Sequence, residues 1–380
     1  MKIGVDITML VYAGSGVANY TFNLVKNLLK VDRENEYRLF YSSLRRPANF
    51  YYLSELEKLG GKVYDFRFPP TIMQIFWGKL QIVPIEWFIG KVDVFFSSDF
   101  LRPPLLKGTK GITTIHDLTW KLFPNYHEQR IVDAHERKLE KTIKYEDEII
   151  VDSKSTKADL LRHYPQIKTN KVHIIYPGVD DRFESKAKDE KMIVVLKKYG
   201  VGYPSNFLLY VGAIEPRKNL DKSIELFSEL INDDKFKNYQ FLIAGRAGWK
   251  NEKVFQKVFD LNLEKKVRFL GFVYDEDLPY LYCAAKLTVY LSSYEGFGLP
   301  PLESLSCGTP VIAGDNSSLK EVIDMKFLVD VNDKNKILER MKFLLENDVK
   351  IEPENVKKRF DWSASTEQLL KIIQKLPKRN

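Results

Sequence analysis

The stretch Phe207-Leu208-Leu209-Tyr210-Val211-Gly212-Ala213-Ile214-Glu215-Pro216-Arg217-Lys218-Asn219-Leu220 decides how this chain is read. Five apolar residues without a break suit a strand buried on both faces, as in a parallel sheet. A glycine and a polar turn follow, and apolar spacing then predicts a helix over Leu220–Asn232. Further along, Gln240–Ala244, Val267–Leu270, Leu287–Tyr290 and Val311–Ala313 read as strands, with a helix over Glu252–Leu261. The same alternation fills the first part of the chain. Lys2–Ile7, Tyr37–Tyr41, Val92–Phe96, Gly111–Ile115 and Glu148–Val151 read as strands. Val17–Lys30 reads as a helix with Val17, Tyr20, Leu24, Val25 and Leu28 on one face, and Ser155–His163 as another, capped by Ser153. Pro177-Gly178 and the charged run from Asp180 to Glu190 mark a linker between the halves. Strands alternating with helices imply parallel sheets covered on both faces. The expected fold is therefore α/β, with two doubly wound domains over residues 1–178 and 179–360 and a last helix over 361–380. An interdomain cleft beyond the strands' carboxyl ends is the expected place for a ligand.

Length agrees with that division, since 380 residues make about two and a half domains at roughly 150 each. A chain with 44% hydrophobic and 13% aromatic residues can bury enough apolar surface to order itself, which excludes disorder as its main state. The formal charge of +8 favours anionic partners. It does not indicate nucleic acid, because acids and bases are mixed, as in His135-Glu136-Arg137-Lys138-Leu139-Glu140-Lys141. Cys283 and Cys307 are too few for a disulfide framework or a four-thiolate zinc site and read as small buried thiols. No secretory signal and no membrane span are read, so a cytoplasmic chain is expected.

The densest constellation is Tyr294-Glu295-Gly296-Phe297-Gly298-Leu299-Pro300-Pro301-Leu302-Glu303, followed by a short helix that Gly308 closes. Prolines offer no N–H, so the amides of Phe297, Gly298 and Leu299 are the donors available to a phosphate at that helix start. Glu303 in the first turn suits two vicinal hydroxyls of a ribose, and Glu295 a neighbouring sugar. In the turn quoted at the outset, Arg217 and Lys218 set a planar fork beside a point charge, which suits a diphosphate. Gly212 leaves room for its approach.

Two further elements lie in the first half. Gly14-Ser15-Gly16 precedes a helix and can make an anion site. It fails as a dinucleotide fingerprint, because Asn19 stands where the third glycine belongs. His116-Asp117 ends a buried strand, where a functional histidine is expected. His116, His127 and His135 lack metal-site spacing, so no metal is expected. Asp275-Glu276-Asp277 reads as acids opening a helix. Gly245-Arg246-Ala247-Gly248-Trp249-Lys250 is not a phosphate-binding Walker loop, which needs four residues between its glycines.

These motifs, in this order, resemble the retaining glycosyltransferases of family 4 with the GT-B fold, over nearly the whole chain. Glu295 to Glu303 is similar to that family's Glu-x7-Glu motif, and Gly212 through Asn219 to its donor-phosphate segment. His116-Asp117 and the Gly14–Gly16 loop resemble its first-domain elements. The resemblance implies that the second domain binds a nucleotide sugar. Arg217 and Lys218 would neutralise the leaving diphosphate, Glu303 hold the ribose, Glu295 and His116 contact the transferred sugar, and Asp117 lie toward the acceptor. It also implies metal independence, no resident cofactor, retention of configuration and a last helix that crosses back to the first domain. The motif wording looks most like bacterial mannosyltransferases of surface-polysaccharide and lipopolysaccharide assembly that use GDP-mannose with a glycan or lipid-linked acceptor. A UDP- or dTDP-sugar with another acceptor is the alternative within the family. The aromatic stretch Ile72–Gly90 is read either as a surface for the inner membrane face or a lipid-linked acceptor, or as core packing with a solvated edge.

Overall fold

A computed structural model describes the chain except for residues 45–49, 99–100, 185–189, 205, 249 and 380. It divides into two compact units, Met1–Gly178 with Phe360–Asn380, and Val179–Arg359.

The first unit is built on β1 (Lys2–Asp6), β2 (Glu36–Ser42), β3 (Lys62–Phe66), β4 (Val94–Ser97), β5 (Lys110–Ile115), β6 (Glu148–Val151) and β7 (Val172–Ile174). All pairings are parallel, in the order β3-β2-β1-β4-β5-β6-β7. The reversal between β1 and β4 makes this a doubly wound sheet with its switch point beside β1. Helix α1 (Gly16–Val31) covers one face because its apolar positions recur every three or four residues. Ser15 caps it, its side-chain oxygen accepting from the Ala18 amide at 3.2 Å. Helix α2 (Gln129–Lys144) and helix α3 (Lys154–His163) follow, and Ser153 caps α3 by accepting from the Thr156 amide at 3.0 Å. The C-terminal helix Trp362–Lys375 packs on α1 and buries Trp362, Leu369 and Ile373 in the same core as Ile3, Val5, Leu24 and Leu28.

The stretch from Ile72 to Gly90 combines core packing with an exposed edge. Met73, Trp77, Ile85 and Ile89 join a core cluster with Phe40 and Phe95, and the Trp77 indole donates to the Val83 carbonyl at 2.9 Å. Ile72, Ile75, Leu80, Ile82 and Trp87 stay exposed, Trp87 at 70%.

The second unit repeats the architecture with β8 (Phe207–Val211), β9 (Gln240–Ala244), β10 (Val267–Gly271), β11 (Leu287–Tyr290), β12 (Val311–Gly314) and β13 (Leu328–Val329). They are parallel throughout, in the order β10-β9-β8-β11-β12-β13, so the switch point lies between β8 and β11. The expected linker is folded at its start, where Phe183 is buried edge-on against Tyr282. Its residues 185–189 lie outside the described residues, as does Trp249 of the run set aside as a Walker loop. Among the described residues, no helix is long and apolar enough to cross a membrane.

Candidate active site

The loops that leave β8 and β11 flank the second switch point, and they bring Arg217, Lys218 and Glu295 together. After β8 the chain runs against the loop after β9. Gly212 N–H donates to Ala244 O at 2.9 Å, and Ile214 N–H to Arg246 O at 3.1 Å. The approach is so close that a Cβ on Gly245 would sit 1.8 Å from the Gly212 carbonyl oxygen, so only glycine fits there. A 3-10 turn over Pro216–Lys218 then presents both cations. It ends at Asn219 in the left-handed region, φ 51°, before helix α4 (Leu220–Leu230) begins. The Asn219 amide donates to Leu291 O and Ser293 Oγ, both at 2.8 Å, and Ser293 N–H donates to Arg217 O at 2.8 Å. These bonds lock the turn to the loop that carries Glu295.

Glu295 bridges the two cations. Its Oε1 accepts from Lys218 Nζ at 2.6 Å and its Oε2 lies 2.8 Å from Arg217 Nη1. Lys218 Nζ also donates to the Tyr290 hydroxyl at 2.6 Å, and Arg217 pairs with Glu215 at 2.6 Å and donates to Tyr294 O at 2.7 Å. Glu215, Lys218 and Glu295 are all buried. Burial by itself would raise the Glu295 carboxyl, but the Arg217 and Lys218 cations hold it down to about 2. Burial, and then Arg217, lower Lys218. The cluster is two cations against two carboxylates, so it is neutral as it stands.

Glu303 belongs to a different network. It sits in helix α6 (Leu299–Ser306), which is preceded by helix α5 (Leu278–Ala284) of the same unit. Its Oε2 accepts from the Tyr282 hydroxyl of α5 at 2.9 Å. Burial pushes the Glu303 carboxyl up to about 7, with Asp275 and Asp180 acting the same way against Tyr282 and Arg182. Gly298 stands at the start of α6 with φ 103°, Phe297 beside it is buried, and Leu299 is the first helical residue and half-buried. The Ser318 hydroxyl bonds the carbonyls of Glu295 at 2.9 Å and Phe297 at 2.8 Å, which fixes the glycine loop. The close of α6 is as read. Gly308 N–H donates to Leu305 O and Thr309 N–H to Ser304 O, both at 3.0 Å, with Gly308 at φ 80°.

The acids ahead of α5 do not act as the expected cap. Asp277 takes the cap position without a side-chain cap bond, and its carboxylate accepts instead from Lys198 Nζ at 2.6 Å and the Tyr199 hydroxyl at 2.7 Å. Asp275 faces Arg182 at 3.6 Å. Asp277 has helical backbone angles, φ −92° and ψ −26°, where a capping side chain ordinarily needs an extended backbone. Cys307 is buried and Cys283 half-buried, and neither is in a disulfide.

In the first unit, Gly14 adopts φ 79° before the cap Ser15, and Gly16 opens α1 with open space where a Cβ would stand. His116 follows β5, and its Nδ1 lies 2.7 Å from Asp152 Oδ2. Asp117 turns back on its own chain, accepting from the Thr119 amide at 2.8 Å and the Thr119 hydroxyl at 2.6 Å. Sequence reading missed Asp152, Glu215, Tyr282 and Tyr290 as partners of the site. Asp152 had a signal, since it follows the strand Glu148–Val151 as His116 follows its own. The tyrosines had none, because a tyrosine on a buried strand or helix reads as core.

Residues 14–183 match the family model described as Glycosyltransferase Family 4, and residues 196–368 the one described as Glycosyl transferases group 1. O-antigen chain mannosyltransferase B of Escherichia coli is 29% identical over 97% of this chain and 98% of its own length. A serotype-specific mannosyltransferase WbdA of the same species is 30% identical over 61% of this chain and 29% of that protein. The structure of Anabaena Alr3699/HepE in complex with UDP and glucose matches with a TM-score of 0.72 at 16% identity, over 99% of this chain and 100% of that one. WaaG, a glycosyltransferase involved in lipopolysaccharide biosynthesis, matches with a TM-score of 0.67 at 14% identity, over 98% of this chain and 95% of its own. At those identities the structural likeness carries the fold, which is GT-B.

Proposed function

The chain belongs to the family 4 glycosyltransferases, and we propose that it moves mannose from GDP-mannose to a glycan or lipid-linked glycan acceptor in cell-surface polysaccharide assembly. The observation that carries the donor side of this reading is the Arg217–Lys218–Glu295 cluster at the switch point between β8 and β11. Phosphates bind at such switch points, and a guanidinium beside an ammonium offers a diphosphate both a fork and a point charge. The choice of mannose rests on the E. coli relative matched along nearly its full length, an O-antigen chain mannosyltransferase.

In this mechanism the donor diphosphate takes over the two cations from Glu295, whose carboxylate then meets hydroxyls of the transferred sugar. Glu303 holds the ribose and His116 meets a further sugar hydroxyl. The bond from the anomeric carbon to the diphosphate oxygen breaks through an oxocarbenium-like state. An acceptor hydroxyl bonds to the same face, and its proton passes to the departing phosphate, so configuration is retained. Charge grows on that phosphate as the bond breaks, so Arg217 and Lys218 supply the main electrostatic stabilisation. They do so in place of a metal ion. The amides of Phe297, Gly298 and Leu299 and the backbone room at Gly212, Gly14 and Gly16 serve the donor, and Asp117 lies toward the acceptor. We place the enzyme in the cytoplasm. The exposed Ile72, Ile75, Leu80, Ile82 and Trp87, with Lys79 and Lys91 among them, support peripheral contact with the inner membrane face.

The test is a thermal-shift panel with GDP, UDP, dTDP, ADP and NAD on the wild type and Glu303→Ala. A shift with GDP alone, lost in the variant, is the expected result. A shift with UDP alone would discard GDP-mannose, and no shift with any nucleotide would overturn the donor site.

A further inference from the structure

β5 and β6 run side by side in register, with Ile115 opposite Val151. One residue further, both chains turn their side chains to the other face of the sheet, and they do so together. His116 and Asp152 are those residues. Their side chains meet at 2.7 Å between Nδ1 and Oδ2, and both are largely buried, 16% and 7% exposed. The ring is held from other sides as well. Tyr20 of α1 meets it edge-on, with centroids 4.7 Å apart and planes at 83°, and Trp362 backs Tyr20 at 5.6 Å. The Thr156 hydroxyl donates to the His116 carbonyl at 3.3 Å.

We propose that Asp152 is a positioning residue that fixes His116 in its Nδ1-protonated form, so that Nε2 is presented as the hydrogen-bond acceptor for a sugar hydroxyl. A carboxylate can only accept, so the shared proton sits on Nδ1. In the neutral ring this leaves Nε2 with its lone pair, directed away from Asp152. His116 then accepts a proton-bearing hydroxyl of a polyol and does not donate to a phosphate or a carbonyl. A second-partner carboxylate that sets tautomer and ring orientation is the general means by which a histidine acquires one hydrogen-bonding sense. The other ionisable groups packed here leave that arrangement in place. Burial and the Asp152 charge push the Tyr20 hydroxyl well up, so it stays protonated. Lys138 donates to the Thr114 carbonyl at 2.7 Å, and Asp117 is turned onto Thr119.

This inference rests on the transferase reading for the identity of the hydroxyl, but its core can be read without activity. Long-range proton–nitrogen spectra of the full chain labelled at histidine, with His116→Gln to assign the ring, report which nitrogen carries the proton. The wild type is expected to show protonated Nδ1. Asp152→Ala should move the proton to Nε2, and Asp152→Asn, whose amide oxygen still accepts, should keep the wild-type form. With GDP-mannose, Asp152→Ala should lower kcat/KM at least about tenfold while GDP affinity stays within about twofold, and Asp152→Asn should recover most of the loss. An unchanged His116 ring in Asp152→Ala overturns the proposal, and so does a changed ring with full turnover. Absence of transfer by the wild type would overturn the transferase reading and the sugar contact with it, and the spectra would still decide the ring.

Discussion

Glu295→Gln separates two roles for the carboxylate that bridges the cations. As the structure stands, Arg217 and Lys218 are fully matched by Glu215 and Glu295, so an arriving diphosphate meets a neutral cluster. It gains those cations only by displacing a carboxylate. A carboxyl drawn from 4.5 to about 2 favours its charged form in this site by roughly 3 kcal/mol, at 1.36 kcal/mol per tenfold. That preference opposes the exchange, and glutamine keeps the shape while removing it. Glu295→Gln should therefore tighten GDP binding by about tenfold, bounded by the roughly hundredfold that 3 kcal/mol represents. The same variant should lose at least about tenfold in turnover, because the carboxylate no longer meets the sugar. It should also melt lower without ligand, since Lys218 stays buried with its partner's charge removed. Isothermal titration of GDP into both proteins at one ionic strength reads the sign. Weaker GDP binding by the variant would refute the exchange and make Glu295 a fixed support that holds the cations in place.

Three further outcomes follow from the same geometry. Arg217→Ala should lower turnover at saturating donor at least about tenfold, the roughly 1.5–3 kcal/mol of a charged hydrogen bond, and unchanged turnover would remove Arg217 from the leaving-group role. Transfer should persist in EDTA. Its loss, restored by a divalent ion, would refute metal independence. Glu303 gives a stability prediction with a definite sign: its folded value of about 7 lies above the ordinary 4.5, so the unfolded chain ionises first as pH rises. The wild type should lose stability between about pH 4.5 and 7, by roughly 3 kcal/mol when complete. Glu303→Gln should thus melt higher than wild type at pH 8 and equally below about pH 4.5, and equal melting at pH 8 would refute the buried, proton-bearing carboxyl.

How much of this was legible in the sequence depended on burial. The strands Glu148–Val151, Phe207–Val211, Gln240–Ala244 and Leu287–Tyr290 have the bounds read from their mostly apolar runs, because both faces of a parallel strand with neighbours on either side are covered. β3, β7 and β13 went unread. They stand at or beside the sheet edges, short or half-exposed, and Lys62-Val63-Tyr64-Asp65-Phe66 mixes charge into its pattern. The same rule governs the site. Arg217, Lys218, Glu295, Glu303 and His116 stood out because charge or imidazole interrupts an apolar or glycine-rich context at a strand's end. Glu215 was visible in the quoted turn, but nothing in one dimension says that it answers Arg217.

Adjacent strands in register turn a sequence position into a spatial pair, and this joins the two halves of the molecule in one physical logic. In the first unit the first residues past β5 and β6 meet as His116 and Asp152. In the second, the segments past β8 and β11, neighbours across the switch point, meet as Arg217 and Lys218 with Glu295. A parallel sheet sends every strand out at the same end, so polar residues placed just past the apolar runs must gather there, whatever their separation along the chain. Each gathered group then needs a partner once it is buried, and the partners decide what it can do. A carboxylate on His116 sets the sense of its hydrogen bond. A carboxylate between Arg217 and Lys218 keeps the two cations matched where they are packed away from water. Chemistry at these strand ends is thus set less by the motif residues alone than by the counter-groups that the register delivers beside them.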